Sequence, residues 1–109
     1  MRTLSPITVI FLGTSAFAAP SLRALAEDDR FAVLRVITQP DKPAGRRQTL
    51  TPPPIKILAK KLGLPVSQPE DIKKEYATLD LPPCDFLVTV SYGQIIPQAM
   101  LTLDRKSVV

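Results

Sequence analysis

Short continuous apolar runs alternate along the chain with segments whose apolar residues recur at helical spacing. The runs Ile7–Leu12, Phe31–Ile37 and Asp85–Val90 are rich in β-branched and aromatic residues, a pattern typical of buried strands. Apolar positions at helical spacing predict helices over residues 16–26 and from about 54 to 62. A strand, helix and strand in this order predict a right-handed parallel crossover, and hence a doubly wound α/β sheet.

The remaining elements are shorter. Val66 and its neighbours predict a third strand, and residues 69–79 predict a helix with Glu70 and Asp71 in its first turn. Residues 97–103 predict one or two further helical turns. A doubly wound sheet normally has five or six strands, so about four strands predict a fold cut short, with an unpaired apolar edge on the last strand.

Residues that favour helix ends support these boundaries. Ser15 is placed to cap the first helix, and Pro54 suits the first turn of the second. Gly63 is a stop signal for the second helix, with Lys60 and Lys61 in its last turn, where the helix dipole favours cations. We therefore interpret both lysines as stabilising a helix end rather than binding a ligand.

A long basic, proline-rich loop over residues 38–54 is the most informative segment. Connections in compact domains usually have about two to six residues, so a loop of this length indicates either a function or disorder. Lys42, Arg46 and Arg47 give it three cations, with Asp41 the nearby acid. Arginine pairs with phosphate and stacks on bases, which favours an RNA end as the ligand. The alternative is a solvated loop whose charges serve solubility.

A second candidate site follows the fourth strand, at the carboxyl edge where open α/β sheets bind ligands. Its backbone amides, one aromatic side chain and two isoleucines suit a flat heterocycle with a hydrogen-bonding edge. The candidate residues are Tyr92, Gly93, Gln94, Ile95 and Ile96. The same residues are equally compatible with a simple connection between a strand and a helix.

The first strand-to-helix turn lacks a dinucleotide fingerprint. Gly13 follows the strand, but no G-x-G-x-x-G motif is present, which argues against a nicotinamide cofactor. The helix that starts near Ser15 still has a positive end suited to a phosphate or carboxylate. An ordinary tight turn is the alternative.

Composition narrows the class of protein. The chain has 109 residues and a formal net charge of +4, which predicts at most one domain and is consistent with an anionic partner. It has no histidine and one cysteine, Cys84, so we expect neither an internal disulfide nor a Cys/His metal site. No apolar run approaches the roughly 18 residues of a membrane span, and the first residues do not form a signal peptide. We expect a soluble, cytoplasmic protein with no membrane contact.

Five sequence blocks in order resemble the opening of methionyl-tRNA formyltransferases. They cover residues 9–14, 17–22, 36–46, 64–69 and 91–97. The block over 39–45 distinguishes this resemblance from the sugar and glycinamide formyltransferases that share the fold. The chain is therefore identified as a member of the formyltransferase group, with the corresponding Rossmann-like fold.

The resemblance implies formyl transfer from 10-formyltetrahydrofolate to the α-amino group of methionine on initiator tRNA. It implies that Lys42, Arg46 and Arg47 contact the tRNA acceptor end and that residues 92–96 line the folate site. It further implies that the full-length enzyme is a monomer without a metal. The family's catalytic Asn, His and Asp lie downstream, together with an RNA-binding domain, and this chain has no Asn and no His. We therefore expect an inactive amino-terminal fragment with no catalytic residue of its own.

The last six residues differ in character from the rest. Asp104–Val109 resembles a sequencing adapter translated in frame, so we interpret residues 1–103 as the formyltransferase part and 104–109 as a non-native tail. Two other functions remain open from the residues: a non-catalytic RNA-binding module that uses the basic loop, and a non-catalytic folate-binding module that uses residues 92–96.

Overall fold

The fold is built on a parallel sheet whose strands come from segments spread between residues 7 and 90. A computed structural model describes residues 5–97. The strands are Ile7–Gly13 (β1), Phe31–Ile37 (β2), Lys42–Ala44 (β3), Thr49–Thr51 (β4), Val66–Ser67 (β5) and Phe86–Val90 (β6). Four of them form one parallel sheet in the order β5-β2-β1-β6. The predicted doubly wound sheet is therefore confirmed, with β6 at one edge of the described sheet.

Successive residues of each strand point to opposite sides of the sheet, so a continuous apolar run places apolar side chains on both faces. Helical segments cover these side chains on each face. The helical segments are Ala16–Ala18 (a 3-10 helix), Ala19–Glu27 (α1), Pro54–Lys61 (α2), Ile72–Glu75 (α3) and Tyr76–Leu79 (a 3-10 helix). On one face Phe11 packs with Leu22 of α1 and Ile55 of α2. On the other face its neighbours Ile10 and Leu12 pack with residues such as Ile72.

The predicted helix over 69–79 is wrong in extent. Only Ile72–Glu75 is α-helical, and the chain continues as a 3-10 helix to Leu79. Asp71 is the N-cap, outside the helix: its carboxylate accepts a bond from the Lys73 amide (3.0 Å), while the Asp71 amide donates to Glu75 (2.8 Å). These two bonds satisfy backbone groups that a longer helix would use, so the helix starts here.

The predicted cap at Ser15 is also wrong. Ser15 precedes a 3-10 helix and makes no side-chain capping bond. Its hydroxyl lies 2.8 Å from the hydroxyl of Ser91, which follows β6. The second helix matches the prediction better, since Pro54 lies in its first turn and Gly63 follows its end at φ 75°.

The basic segment is a β-hairpin rather than the predicted loop. β3 and β4 pair antiparallel, with Lys42 opposite Thr51 and Ala44 opposite Thr49. Gly45 at φ 75° and Gln48 at φ 52° close the turn, and the Gln48 side-chain amide donates to the Gly45 carbonyl at 2.9 Å. We refer to residues 42–51 as the hairpin arm. The predicted helical turns over 97–103 and the tail at 104–109 lie outside the described residues, apart from Pro97.

Candidate functional site

A cleft of about 310 Å³ opens at the carboxyl ends of the central strands. Three segments form its walls: the turn after β1, the segment that leads from β2 into the hairpin arm, and the segment that leads from the arm into α2. The lining residues are Thr14, Ser15, Ala16, Gln39, Pro40, Lys42, Thr51, Pro53 and Pro54. This is the edge at which open α/β sheets bind ligands, so the cleft is the candidate site.

The walls are mainly apolar, and their hydroxyl groups already make hydrogen bonds within the protein. The Thr14 hydroxyl donates to the Tyr92 carbonyl at 2.6 Å, and the Ser15 hydroxyl pairs with Ser91. The start of α2 offers little to an anion, since Pro54 has no N–H and the Ile55 amide donates to the Thr14 carbonyl at 3.4 Å. Three prolines and Ala16 supply much of the surface, and Lys42 is the lining residue that carries a charge. The cleft suits an uncharged group linked to an anion.

The three predicted RNA contacts lie on the hairpin arm, and all are exposed. Lys42 is in β3, whereas Arg46 and Arg47 lie in the turn. Across residues 5–97 the ion pairs formed involve other cations, and Asp41 pairs with Lys56 of α2 (3.1 Å) instead of with the arm. Bonds from Gln68 and Lys56 hold the pKa of Asp41 below its usual value. The arm therefore presents its cations to the solvent beside the cleft.

The five predicted folate contacts are in very different environments. Tyr92 is only 3% exposed and belongs to the core, where burial raises the pKa of its phenol to about 12. Gly93 is exposed with φ 103°, and Ile95 is 82% exposed. Ile96 packs against the core, and the Gln94 side chain is bonded to neighbouring loops. Of the five, Gly93 and Ile95 are exposed, Gln94 and Ile96 are partly buried, and Tyr92 is buried.

A hydrogen-bonded network of polar side chains, which includes the cleft-lining Gln39, was not predicted from the sequence. Gln94 bonds to Gln39 at 2.7 Å, Gln68 bonds to the Gln39 carbonyl at 3.1 Å and to Asp41 at 2.7 Å, and Lys56 completes the network at Asp41. The partners are as much as 55 residues apart along the chain. Glutamines on loops carry no spacing pattern, so no signal in the sequence joins them.

Two negative findings concern the described part of the chain. Within residues 5–97, no three His, Cys, Asp or Glu side chains are grouped in a way that would hold a metal ion. The helices of the same residues are all too short or too polar to cross a membrane.

Comparison with known proteins matches this chain to formyl transferases in every case reported below. The sequence model described as formyl transferase matches residues 6–109. The chain is 53% identical over 98 residues to the methionyl-tRNA formyltransferase of Hydrogenobaculum sp., covering 87% of this chain and 31% of that protein. The protein of the same name from Chromohalobacter salexigens is 50% identical over 101 residues, covering 91% and 31%. The one from Macrococcus caseolyticus is 48% identical over 100 residues, covering 89% and 31%. The chain thus spans about a third of the length of these curated relatives.

Proposed function

The chain belongs to the formyl transferase family, and we propose that its parent protein formylates the α-amino group of methionine on initiator tRNA. The formyl donor in this proposal is 10-formyltetrahydrofolate. The observation that carries the proposal is the position of the exposed cationic arm at the rim of a mainly apolar cleft, on the carboxyl edge of the sheet. The names of the relatives support this choice of substrates. We further propose that the parent protein acts as a monomer in the cytoplasm, where initiator tRNA is used.

The proposed reaction is acyl transfer between two nitrogen atoms. The methionine amine attacks the formyl carbon, a new C–N bond forms, and the carbonyl oxygen becomes an oxyanion. The intermediate collapses with cleavage of the bond from the formyl carbon to N10 of the folate. The amine loses a proton, and N10 takes one up. Donors that stabilise the oxyanion and a group that moves the proton are required.

The residues of this chain supply binding rather than proton transfer. It has no histidine and no asparagine, two of the residue types that the family resemblance assigns to catalysis. We therefore propose that the 109-residue chain alone is inactive. Added to methionyl-tRNA and the formyl donor it should give no formylated product, and measurable turnover would contradict this part of the proposal.

The arm provides the proposed tRNA contacts. Arg46 and Arg47 in the turn can each form paired bonds with a phosphate, and Lys42 lies closer to the cleft. A terminal nucleotide bound there would place its phosphate at Lys42 and its uncharged parts against the proline-lined walls. Three exposed cations without acid partners in the described structure support this orientation.

The segment 92–96 provides the proposed folate contacts, with roles that differ from residue to residue. Gly93 and Ile95 are exposed and are the proposed direct contacts, Gly93 through its backbone. Tyr92 supports the segment from the core, and Gln94 holds it by hydrogen bonds. Ile96, packed against the core, anchors the segment at its other end.

Salt dependence of tRNA binding tests the role of the arm. Each phosphate contact contributes about 0.7 to the slope of log affinity against log salt for single strands. Replacing Lys42, Arg46 and Arg47 with alanine should therefore reduce the slope by about 2. The matched control replaces Lys60, Lys61 and Lys73, three exposed lysines outside the arm. Equal loss in both triple variants would contradict a tRNA site on the arm.

Two outcomes would favour the alternative functions. RNA binding through the arm by a parent protein that shows no formyl transfer would indicate a non-catalytic RNA-binding module. Folate binding that is insensitive to the three arm substitutions, again without transfer, would indicate a folate-binding module. Formyl transfer by the parent protein, lost when the arm is neutralised, is the outcome that the proposal expects.

A further inference from the structure

The Gln94 side chain joins three segments of the fold. Its carbonyl oxygen accepts a hydrogen bond from the Ile72 amide at 2.8 Å, which fixes the orientation of the carboxamide. Its nitrogen therefore faces Gln39, donating to the Gln39 side-chain oxygen at 2.7 Å and to the Glu70 carbonyl at 3.2 Å. A partly buried loop glutamine thus uses both ends of its amide, which is the arrangement of a positioning group.

Gln39 continues the connection toward the hairpin arm. Its carbonyl accepts a bond from Gln68 at 3.1 Å, and the same Gln68 nitrogen lies 2.7 Å from the Asp41 carboxylate. Asp41 directly precedes the arm and is held by Lys56 of α2 at 3.1 Å. An unbroken series of bonds therefore runs from the root of the arm to residues 91–96.

Close packing reinforces the contact between these segments. A Cβ atom on Gly93 would lie 2.7 Å from the Gln39 side-chain nitrogen, so the two segments approach as closely as a glycine allows. Thr14 adds a second link, since its hydroxyl donates to the Tyr92 carbonyl at 2.6 Å and lies 3.4 Å from the Gln39 amide. The relative position of the two surfaces is thereby determined on both sides.

We propose that Gln39 and Gln94 are positioning residues that couple the root of the hairpin arm to the segment 91–96. The coupling itself needs no ligand. Its use rests on the proposed function, in which the arm binds tRNA and the segment 92–96 binds the folate. We call the Gln39–Gln94 side-chain hydrogen bond the clasp. Because the clasp holds both surfaces, ligand binding at one surface orders the other.

Hydrogen exchange of the 109-residue chain tests the coupling. Gln94→Met removes the amide at similar length and should raise exchange about fivefold in both 38–42 and 91–96, the effect of losing one net hydrogen bond. Gln39→Met should have the same effect. Gln39→Glu keeps an oxygen that accepts from Gln94 and should restore exchange to near the level of the unmodified chain. Gln48→Met, which removes a glutamine bond inside the arm turn, is the matched control and should change neither segment.

Several outcomes would overturn the inference. A rise confined to 91–96 in Gln94→Met would mean that the clasp does not reach the arm. An equal rise in β1 would mean that the glutamines contribute only to global stability. Absence of protected amides in β1 of the unmodified chain would overturn the fold and the inference together.

Binding measurements on the parent protein separate this inference from the proposed function. In the unmodified protein, tRNA should tighten folate binding, and Gln94→Met should reduce that enhancement about fivefold while leaving the tRNA salt slope unchanged. Coupled exchange without any folate or tRNA binding would contradict the proposed function alone. Binding and transfer with uncoupled exchange would contradict the clasp alone.

Discussion

Gly93→Ala is the substitution for which the structure predicts the most specific loss in the free energy of unfolding. Gly93 has φ 103°, in a region that non-glycine residues enter at a cost of about 1–3 kcal/mol. The added Cβ would lie 2.7 Å from the Gln39 side-chain nitrogen. That nitrogen lies at the end of a flexible side chain and can move away. Its movement disrupts the hydrogen bond between Gln39 and Gln94, which adds about 1 kcal/mol to the loss of stability. The free energy of unfolding should fall by about 2–4 kcal/mol.

Gly63→Ala is the matched control. Gly63 also has positive φ, 75°, but nothing lies within 4 Å of its added Cβ. It should cost about 1–2 kcal/mol, the price of the left-handed conformation alone. Urea unfolding at pH 7 measures both changes. With a slope near 1–2 kcal/mol per molar urea, Gly93→Ala should lower the midpoint by roughly 1–4 M.

A double-mutant cycle separates the two contributions at Gly93. Gln39→Ala removes the obstructing side chain, so in that background Gly93→Ala should lose about 1 kcal/mol of its cost. The reasoning is refuted if the cost of Gly93→Ala is the same with and without Gln39, because the obstruction would then play no part. It is also refuted if Gly93→Ala costs no more than Gly63→Ala.

The remaining predictions concern titration and the core. Because the folded pKa of Asp41 is lowered, its stabilising contribution is present at neutral pH and is lost as pH falls from about 4 through the folded pKa; Asp41→Asn should flatten that acid dependence in urea unfolding at pH 3 and 7, and an unchanged dependence would contradict it. The pKa of Tyr92 is raised to about 12, so stability should fall between about pH 10 and 12 by about 2–3 kcal/mol. Tyr92→Phe should abolish this loss and, since the hydroxyl has no partner among the described residues, leave stability at pH 7 equal or up to about 2 kcal/mol higher; a large loss at pH 7 would reveal a bonded hydroxyl. Leu22→Ala empties a fully buried position on α1 and should cost about 2–5 kcal/mol in thermal or urea unfolding, against less than about 0.5 kcal/mol for exposed Leu50→Ala.

The local pattern of the sequence was sufficient to predict the main strands of the parallel sheet and the ends of α2. Continuous apolar runs such as Phe31–Ile37 predict strands covered on both faces, and the structure places them in a parallel sheet. Pro54 and Gly63 predict the ends of α2, because restricted φ and positive φ are local properties of those residues. The carboxyl edge as the place to look for a candidate site follows from the same alternation of strands and helices, and the cleft lies at that edge.

Other features depended on contacts between distant residues. Ser15 could cap a helix locally, but its hydroxyl pairs with Ser91, 76 positions later. The prolines of the basic segment lower its strand propensity, so the sequence pattern did not predict the hairpin. The pairing of β3 with β4 is decided by register and turn geometry instead.

The roles within the segment 92–96 were decided only by the tertiary structure. Tyr92 and Ile95 look equally suited to contact a ligand in the sequence, yet one is buried and the other exposed. Gln39 and Gln94 carry no periodic signal and meet across 55 residues. Sequence patterns report which residues avoid water, because that tendency belongs to each side chain. Which polar groups bond to one another depends on how the strands bring their loops together, and that is a property of the folded chain.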